Sequence, residues 1–356
     1  MKILITLATT LIGATQSCPA VANHHNKETT APPSLETKHT TPAMNATTYT
    51  NPIIDANLAD PFIYSDGETY YLIATGDAPD GRKLPIYSSK DLVNWTFQCG
   101  AVERGDEDAW NRNNFWAPEV VVYDNRYYLY YTGCRAGLPG NEGNRVGLAI
   151  SDSPLGPFVD QGRVVSTPSL DGHAWQDDDG QWYLYYVTEF GDPEGKKAGQ
   201  IYVDKLIDMR RTAGDPKCIV NSHGWQEGPF MLKKDDTYYL TYSIHGWKTD
   251  RYQVRYATGQ SPLGPFTEAK NSPILSSSDT VKGPGHHMIL ETPETDWIVY
   301  HGWDPEFTAR SPRMDRIFQK GDSLHVEGPT HTMQSLENLD GDVQHQTSNI
   351  EHSIMN

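Results

Sequence analysis

The chain has 356 residues, with 46 acidic against 29 basic side chains and a net charge of −17. So acidic a chain, without a long Lys or Arg run, excludes nucleic acid and anionic membrane as partners and leaves a neutral one. Four cysteines without a CxxC pattern exclude a thiolate metal centre and a dense disulfide framework, and Cys99 with Cys134 stays open as a pair between neighbouring units.

Residues 1–22 carry a lone Lys2, an apolar stretch too short to span a bilayer and the small-x-small pattern Ala20-Val21-Ala22. That is the pattern of a secretory signal peptide, which predicts a secreted or periplasmic protein. A lipid-modified Cys18 is the competing reading, poorly matched by the Thr15-Gln16-Ser17 before it. Residues 23–50 hold almost no large apolar side chain and are expected to form a flexible polar linker. No other segment is long and apolar enough to span a membrane as a helix.

From residue 51 to 334 one pattern recurs five times, at intervals of roughly 55 to 59 residues: a short apolar strand, a polar turn, an aromatic-rich strand. The copies are DPFIYSDGETYYLIA, APEVVVYDNRYYLYY, DGHAWQDDDGQWYLYY, EGPFMLKKDDTYYLTY and GHHMILETPETDWIVYHGW. Tyr, Trp, Ile and Val suit a half-buried pleated surface, and the Asp/Gly turns suit tight reversals, so each copy is a hairpin. Further strand-like text follows each one, SPLGPF occurring twice, which makes the unit about four strands long. Five such units predict an all-β, five-bladed β-propeller of four-stranded antiparallel blades, and residues 335–356 form a polar tail.

In a propeller the first strand of every blade lines the central channel. Counting back eleven or twelve residues from Tyr71, Tyr128, Tyr183, Tyr239 and Ile298 reaches Asp60, Ala117 or Trp116, Asp171, Glu227 and His286. Three carboxylates and an imidazole therefore converge. Like charges at close range raise one another's pKa, an arrangement that acid/base chemistry needs and stability does not. Glu227, between an aromatic stretch and Gly-Pro, reads as a desolvated acid, whereas Asp171 is open as base, orienting group or modulator.

Asp177-Asp178-Asp179-Gly180 lacks the ligand spacing of an EF-hand and is read as a hairpin turn. His286 and His287 are adjacent, so in a strand only one looks into the channel. His286 is the candidate for an axial site, with a structural Ca²⁺ reached partly through water, and His287 is a candidate sugar contact. Trp116, Trp175, Trp225, Trp247 and Trp303 lie near strand ends, where flat aromatic faces beside carboxylates suit a sugar ring. Arg310 and Arg313 are candidates for binding its hydroxyls. No GxSxG elbow is present, against a serine esterase.

ADPFI at Asp60, NFWAPEV at Trp116, LDGHAWQDDDGQWYLYY at Asp171, WQEGPFMLK at Glu227 and GPGHHMI at His286 together resemble glycoside hydrolase family 43 over about residues 51–330. Those inverting five-bladed propellers include α-L-arabinofuranosidases, β-xylosidases and arabinanases. The resemblance implies Asp60 as general base, Glu227 as general acid and Asp171 as the residue that tunes the acid and orients substrate. It also implies an axial His286 and a substrate-binding arginine at Arg310 or Arg313, although RSPRMDR departs from the usual double Arg. The expected function is a secreted glycosidase acting on plant or algal polysaccharide fragments, needing no cofactor for the chemistry. A galactose-type sugar, or a carbohydrate-binding propeller without catalysis, are the alternatives.

Overall fold

Five antiparallel sheets of consecutive strands follow one another along the chain, in the computed structural model that describes residues 48–138, 143–189, 198–220 and 224–336. Blade I runs from Ala59–Ser65 to Thr96–Val102 and blade II from Asn113–Tyr123 to Val159–Arg163. Blade III starts at Ser169–Gln176, and its outer position is shared by the short strands Arg211–Thr212 and Lys217–Cys218. Blade IV runs from Gln226–Lys234 to Thr267–Glu268 and blade V from Lys282–Glu291 to Ser323–Val326. The five-bladed propeller expected from the repeats is the fold. The leader, Cys18, nearly all of the linker and most of the polar tail lie outside the described residues.

The turns form where the local chemistry predicts. Asp124 and Asn125 both adopt positive φ between the paired strands of blade II, the two-residue reversal whose twist matches that of a hairpin. Asp177–Gly180 closes the corresponding turn of blade III, and the Asp177 carboxylate accepts hydrogen bonds from Tyr238 (2.8 Å) and Lys233 (3.2 Å) of blade IV.

The apolar core consists of five layers, one between each pair of neighbouring blades. Buried tyrosines fill these layers and need partners for their hydroxyls. The SPLGPF segments supply two of them: Tyr64 donates to the carbonyl of Pro154 (2.5 Å) and Tyr185 to that of Pro262 (2.9 Å), each across a blade boundary. The repeated motif is thus a bracket between blades.

The ring closes outside the blades. Thr48–Tyr49 pairs antiparallel with Gln334–Ser335, so the structure extends slightly into the segments expected to be linker and tail. Tyr49 packs edge-on against Trp297 (5.7 Å), and Tyr49 and Leu336 both enter the layer between blades V and I. Beside this seam Asn51 accepts from the Met314 amide (2.9 Å) and donates to its carbonyl (2.8 Å) and to Thr330 (3.0 Å).

Candidate active site

The five first strands share one irregularity. Between Ala59 and Phe62, Trp116 and Glu119, Leu170 and His173, Glu227 and Phe230, and Gly285 and Met288, one extra residue is inserted against the second strand. The residue that opens each bulge has positive φ: Asp60 (52°), Ala117 (47°), Asp171 (56°), Gly228 (55°) and His286 (45°). For a non-glycine residue this conformation costs on the order of 1–3 kcal/mol, and surrounding contacts must hold it.

Those contacts form a circle. The amide of each bulge residue donates to a side chain of the preceding blade: Ala117 to Thr75 (2.8 Å), Asp171 to Thr132 (3.2 Å), His286 to Ser243 (2.8 Å) and Asp60 to His301 Nδ1 (3.2 Å). Each acceptor stands opposite the residue just before its own blade's bulge. In blade III that position is Val187, which cannot accept, and the Asp171 carboxylate takes the Gly228 amide instead (2.9 Å).

Glu227 is one residue out of step with Asp60, Asp171 and His286, because in blade IV the bulge position belongs to Gly228. A Cβ there would come within 3.3 Å of the His286 backbone. Even so, Asp60, Asp171, Glu227 and His286 line one cavity of about 550 Å³, together with Thr75, Trp116, Trp225, Trp247 and Arg310.

Within it His286 Nδ1 lies 3.5 Å from Asp60 Oδ1 and 3.8 Å from Asp171 Oδ2. Asp60 also accepts from the Thr75 hydroxyl (2.6 Å) and faces His301 Nδ1 (3.2 Å) and Arg310 Nη1 (3.9 Å). Burial alone would raise its pKa, but His286, the His301 bond and Arg310 together hold it well below the usual carboxylate range. Burial pushes Glu227 up; His286 and the hydrogen bonds from Tyr252 (2.6 Å to Oε1) and Trp225 Nε1 (2.6 Å to Oε2) oppose this without cancelling it. Asp171 is raised further, by burial and by the carboxylates of Glu227 and Asp60, against His286 and the Gly228 amide. For His286, burial disfavours the imidazolium, yet the three acids outweigh it and its pKa rises. Burial lowers His301 to about 4, so it is neutral, and Nδ1 serves either the Asp60 amide or its carboxylate at any one time.

One carboxyl with a lowered pKa, Asp60, and two with raised ones, Glu227 and Asp171, thus face the same hollow. This is the division of labour that general acid/base hydrolysis requires.

A comparison with known proteins agrees with this chemistry. The sequence model of the family described as "Glycosyl hydrolases family 43" matches residues 49–323. The chain belongs to glycosyl hydrolase family 43. It is 29% identical to a β-D-galactofuranosidase of Aspergillus niger over 78% of this chain and 84% of that protein. A xylosidase/arabinosidase of Bacteroides ovatus is 28% identical, covering 68% of this chain and 85% of the relative. Among solved structures, a thermostable family-43 glycoside hydrolase superposes with a TM-score of 0.72 and 31% identity, over 80% of this chain and 98% of that one. Family-43 members are inverting O-glycosyl hydrolases and need no cofactor for the reaction.

Several residues singled out in the sequence lie away from the family-43 cavity. Trp175 packs in the layer between blades III and IV, near Tyr183 and Tyr238. His287 is buried with Nε2 bonded to Thr241 (2.7 Å), and burial holds its pKa near 3. Arg313 is buried near the seam, with Nη1 3.5 Å from the Thr330 carbonyl. Arg310, by contrast, lines the cavity, its guanidinium over Trp247 (4.4 Å) and near Trp303 (5.3 Å). Cys99 and Cys134 are free thiols facing the carbonyls of Leu155 and Arg135.

Thr75, His245, Tyr252 and His301 are site residues that the repeat count does not reach. For Thr75 and His301 a signal exists: fifteen residues beyond the bulge residue stands Thr75, Thr132, Ser243 or His301 in four of the five copies. Tyr252 sits outside the repeated hairpins and leaves no such trace. Among the described residues, no group of three His, Cys, Asp or Glu side chains is arranged to hold a metal ion.

Proposed function

We propose that this family-43 hydrolase is an exported glycosidase that releases α-L-arabinofuranose or β-xylose from plant or algal polysaccharide fragments. The observation that carries the reading is that Asp60 and Glu227 line one cavity in opposed surroundings, which lower the pKa of the first and raise that of the second. Glu227 donates its proton to the glycosidic oxygen as that bond breaks. A water attacks the anomeric carbon from the opposite face and gives its proton to Asp60, which inverts the configuration. Inverting pairs stand about 6.5–9.5 Å apart to admit that water, a spacing that residues on separate blades around a channel are suited to provide.

Asp171 carries no proton to the substrate in this scheme; it binds the Gly228 amide and so orients the neighbouring acid. Arg310 is the substrate-binding arginine, since it reaches into the cavity beside Asp60. Trp116, Trp225 and Trp247 offer apolar walls to the sugar ring. A structural calcium at His286, reached partly through water, stays part of this reading, and no step of the reaction is assigned to it. The leader pattern of residues 1–22 supports export.

The relative from A. niger, named for β-D-galactofuranose, favours one further candidate. That sugar shares the ring configuration of α-L-arabinofuranose and adds an exocyclic carbon. Nitrophenyl α-L-arabinofuranoside, β-D-xyloside and β-D-galactofuranoside, assayed with wild type, Asp60→Ala and Glu227→Gln, decide among them. One sugar is expected to be released with inversion, read by NMR of the first-formed anomer. Turnover that survives Asp60→Ala, or binding without any turnover, overturns the reading.

A further inference from the structure

Glu227 has two oxygens and two donors, and the donors are not alike. Trp225 Nε1 can only donate, and it bonds Oε2 from a position lining the cavity. Tyr252 bonds Oε1 from a fully buried position outside that lining. A phenol can donate or accept, so the direction of its bond matters.

Here the Tyr252 hydroxyl donates to Glu227 Oε1 at 2.6 Å. Nearby, the His286 backbone N–H, which can only donate, bonds Ser243 Oγ at 2.8 Å and fixes the first strand of blade V beside the tyrosine.

The ring cannot drift from this position. One face lies parallel to His301, with centroids 5.8 Å apart and planes 9° from parallel. A Cβ on Gly285 would stand 2.3 Å from Tyr252 Cε1, so only glycine leaves the space. The imidazole beneath it is the one that faces Asp60. A single aromatic ring thus touches the supports of both catalytic carboxyls.

We propose that Tyr252 is a positioning residue that holds Glu227 through Oε1 and, with Trp225 on Oε2, strengthens it as an acid by stabilising the carboxylate left when the proton departs. This rests on the assignment of Glu227 as general acid. In the reaction the Glu227 proton passes to the glycosidic oxygen, the C–O bond breaks with its electrons on the departing alcohol, and Glu227 is left as a carboxylate. Tyr252 and Trp225 then stabilise that new charge, and Tyr252 keeps its own proton throughout.

The test compares two leaving groups on the sugar that the nitrophenyl screen identifies: dinitrophenol, which departs without protonation, and the alcohol of an unactivated oligosaccharide. A hydrogen bond to a charged group predicts that Tyr252→Phe loses about 10- to 100-fold in kcat on the oligosaccharide, with KM nearly unchanged and little loss on the dinitrophenyl glycoside. Should the Phe variant not fold, fluorotyrosine at 252, a stronger donor of nearly the same shape, decides instead: it should make kcat less dependent on the leaving group. Equal losses on both substrates, a change confined to KM, or an unaltered leaving-group dependence with fluorotyrosine overturns the inference. Glu227→Gln run alongside separates the two ideas. If it leaves oligosaccharide turnover intact, the acid assignment itself fails; if it abolishes turnover while Tyr252→Phe behaves as wild type, only the role of Tyr252 fails.

Discussion

The Asp171 carboxylate accepts the backbone amide of Gly228 at 2.9 Å, and so grips the peptide unit that carries Glu227. Its removal should act on both stability and rate. Asp171→Ala leaves a buried N–H without an acceptor, at a cost of about 1–3 kcal/mol, and lets the acid shift. Asp171→Asn retains an acceptor oxygen but cannot exchange a proton or couple electrostatically with Glu227, so it should recover most of the lost Tm while kcat/KM stays low. Tm and kcat/KM for the two variants check this; equal Tm values would show that the amide bond is not what Asp171 supplies.

The pH–rate profile should be bell-shaped, with its limbs displaced in opposite directions. Asp60 must be ionised, and its pKa is lowered, so activity is lost on the acidic side only well below the usual carboxylate range. Glu227 must be protonated, and its pKa is raised, so activity falls as pH climbs above the ordinary glutamate value. Measuring kcat/KM against pH in the free enzyme reads both limbs. A basic limb at or below the ordinary glutamate value would contradict the environment described for Glu227.

Arg310 and Arg313, three residues apart, should fail in different ways. Arg310 sits in the cavity between Asp60 and Trp247, so Arg310→Ala should raise KM at least tenfold, about 1.4 kcal/mol of lost binding, with Tm little changed. Arg313 is buried and bonds the Thr330 carbonyl, so Arg313→Ala should lower Tm and leave KM near wild type. Steady-state kinetics and calorimetry on both variants test the assignment, and a reversal of the two patterns would refute it.

Tyr49 is only 4% exposed and meets Trp297 edge to face where the ring closes. Tyr49→Ala should cost about 3 kcal/mol, the scale of emptying a large aromatic site in a core. Denaturant unfolding measures it. A loss below about 1 kcal/mol would mean that the pairing at residues 48–49 and 334–335 contributes little to closure.

Much of the architecture was legible because the repeat writes both strands of each hairpin in aromatic and β-branched residues, and packing between blades demands the same of every copy. Asp60, Asp171 and His286 were legible for the same reason, since an offset of eleven or twelve residues from an anchor in the second strand marks the bulge. Glu227 blurred that count because glycine occupies the bulge of blade IV. Other residues were misleading for physical reasons: Trp175 stands near a strand end and His287 beside the axial His286, yet neighbouring blades claim them for packing or hydrogen bonding. Tyr252 was invisible, because its importance lies in a spatial meeting with Gly285, His301 and Glu227 that no periodicity encodes. The seam is not legible because a single residue on either side, Tyr49 and Leu336, does the anchoring inside otherwise polar text.

The circle of bulge amides separates framework from chemistry at most positions around the channel. At Asp60, Ala117 and His286 the neighbouring blade satisfies the backbone, so the side chain is free to be exchanged for another reactivity without loosening the ring. Blade III lacks that independence: with a valine where its sisters carry a hydroxyl or an imidazole, one carboxylate serves as both mortar and machinery. Redesign of this scaffold toward new substrates would therefore begin by giving Val187 a hydroxyl, which would release Asp171 from masonry before its chemistry is altered.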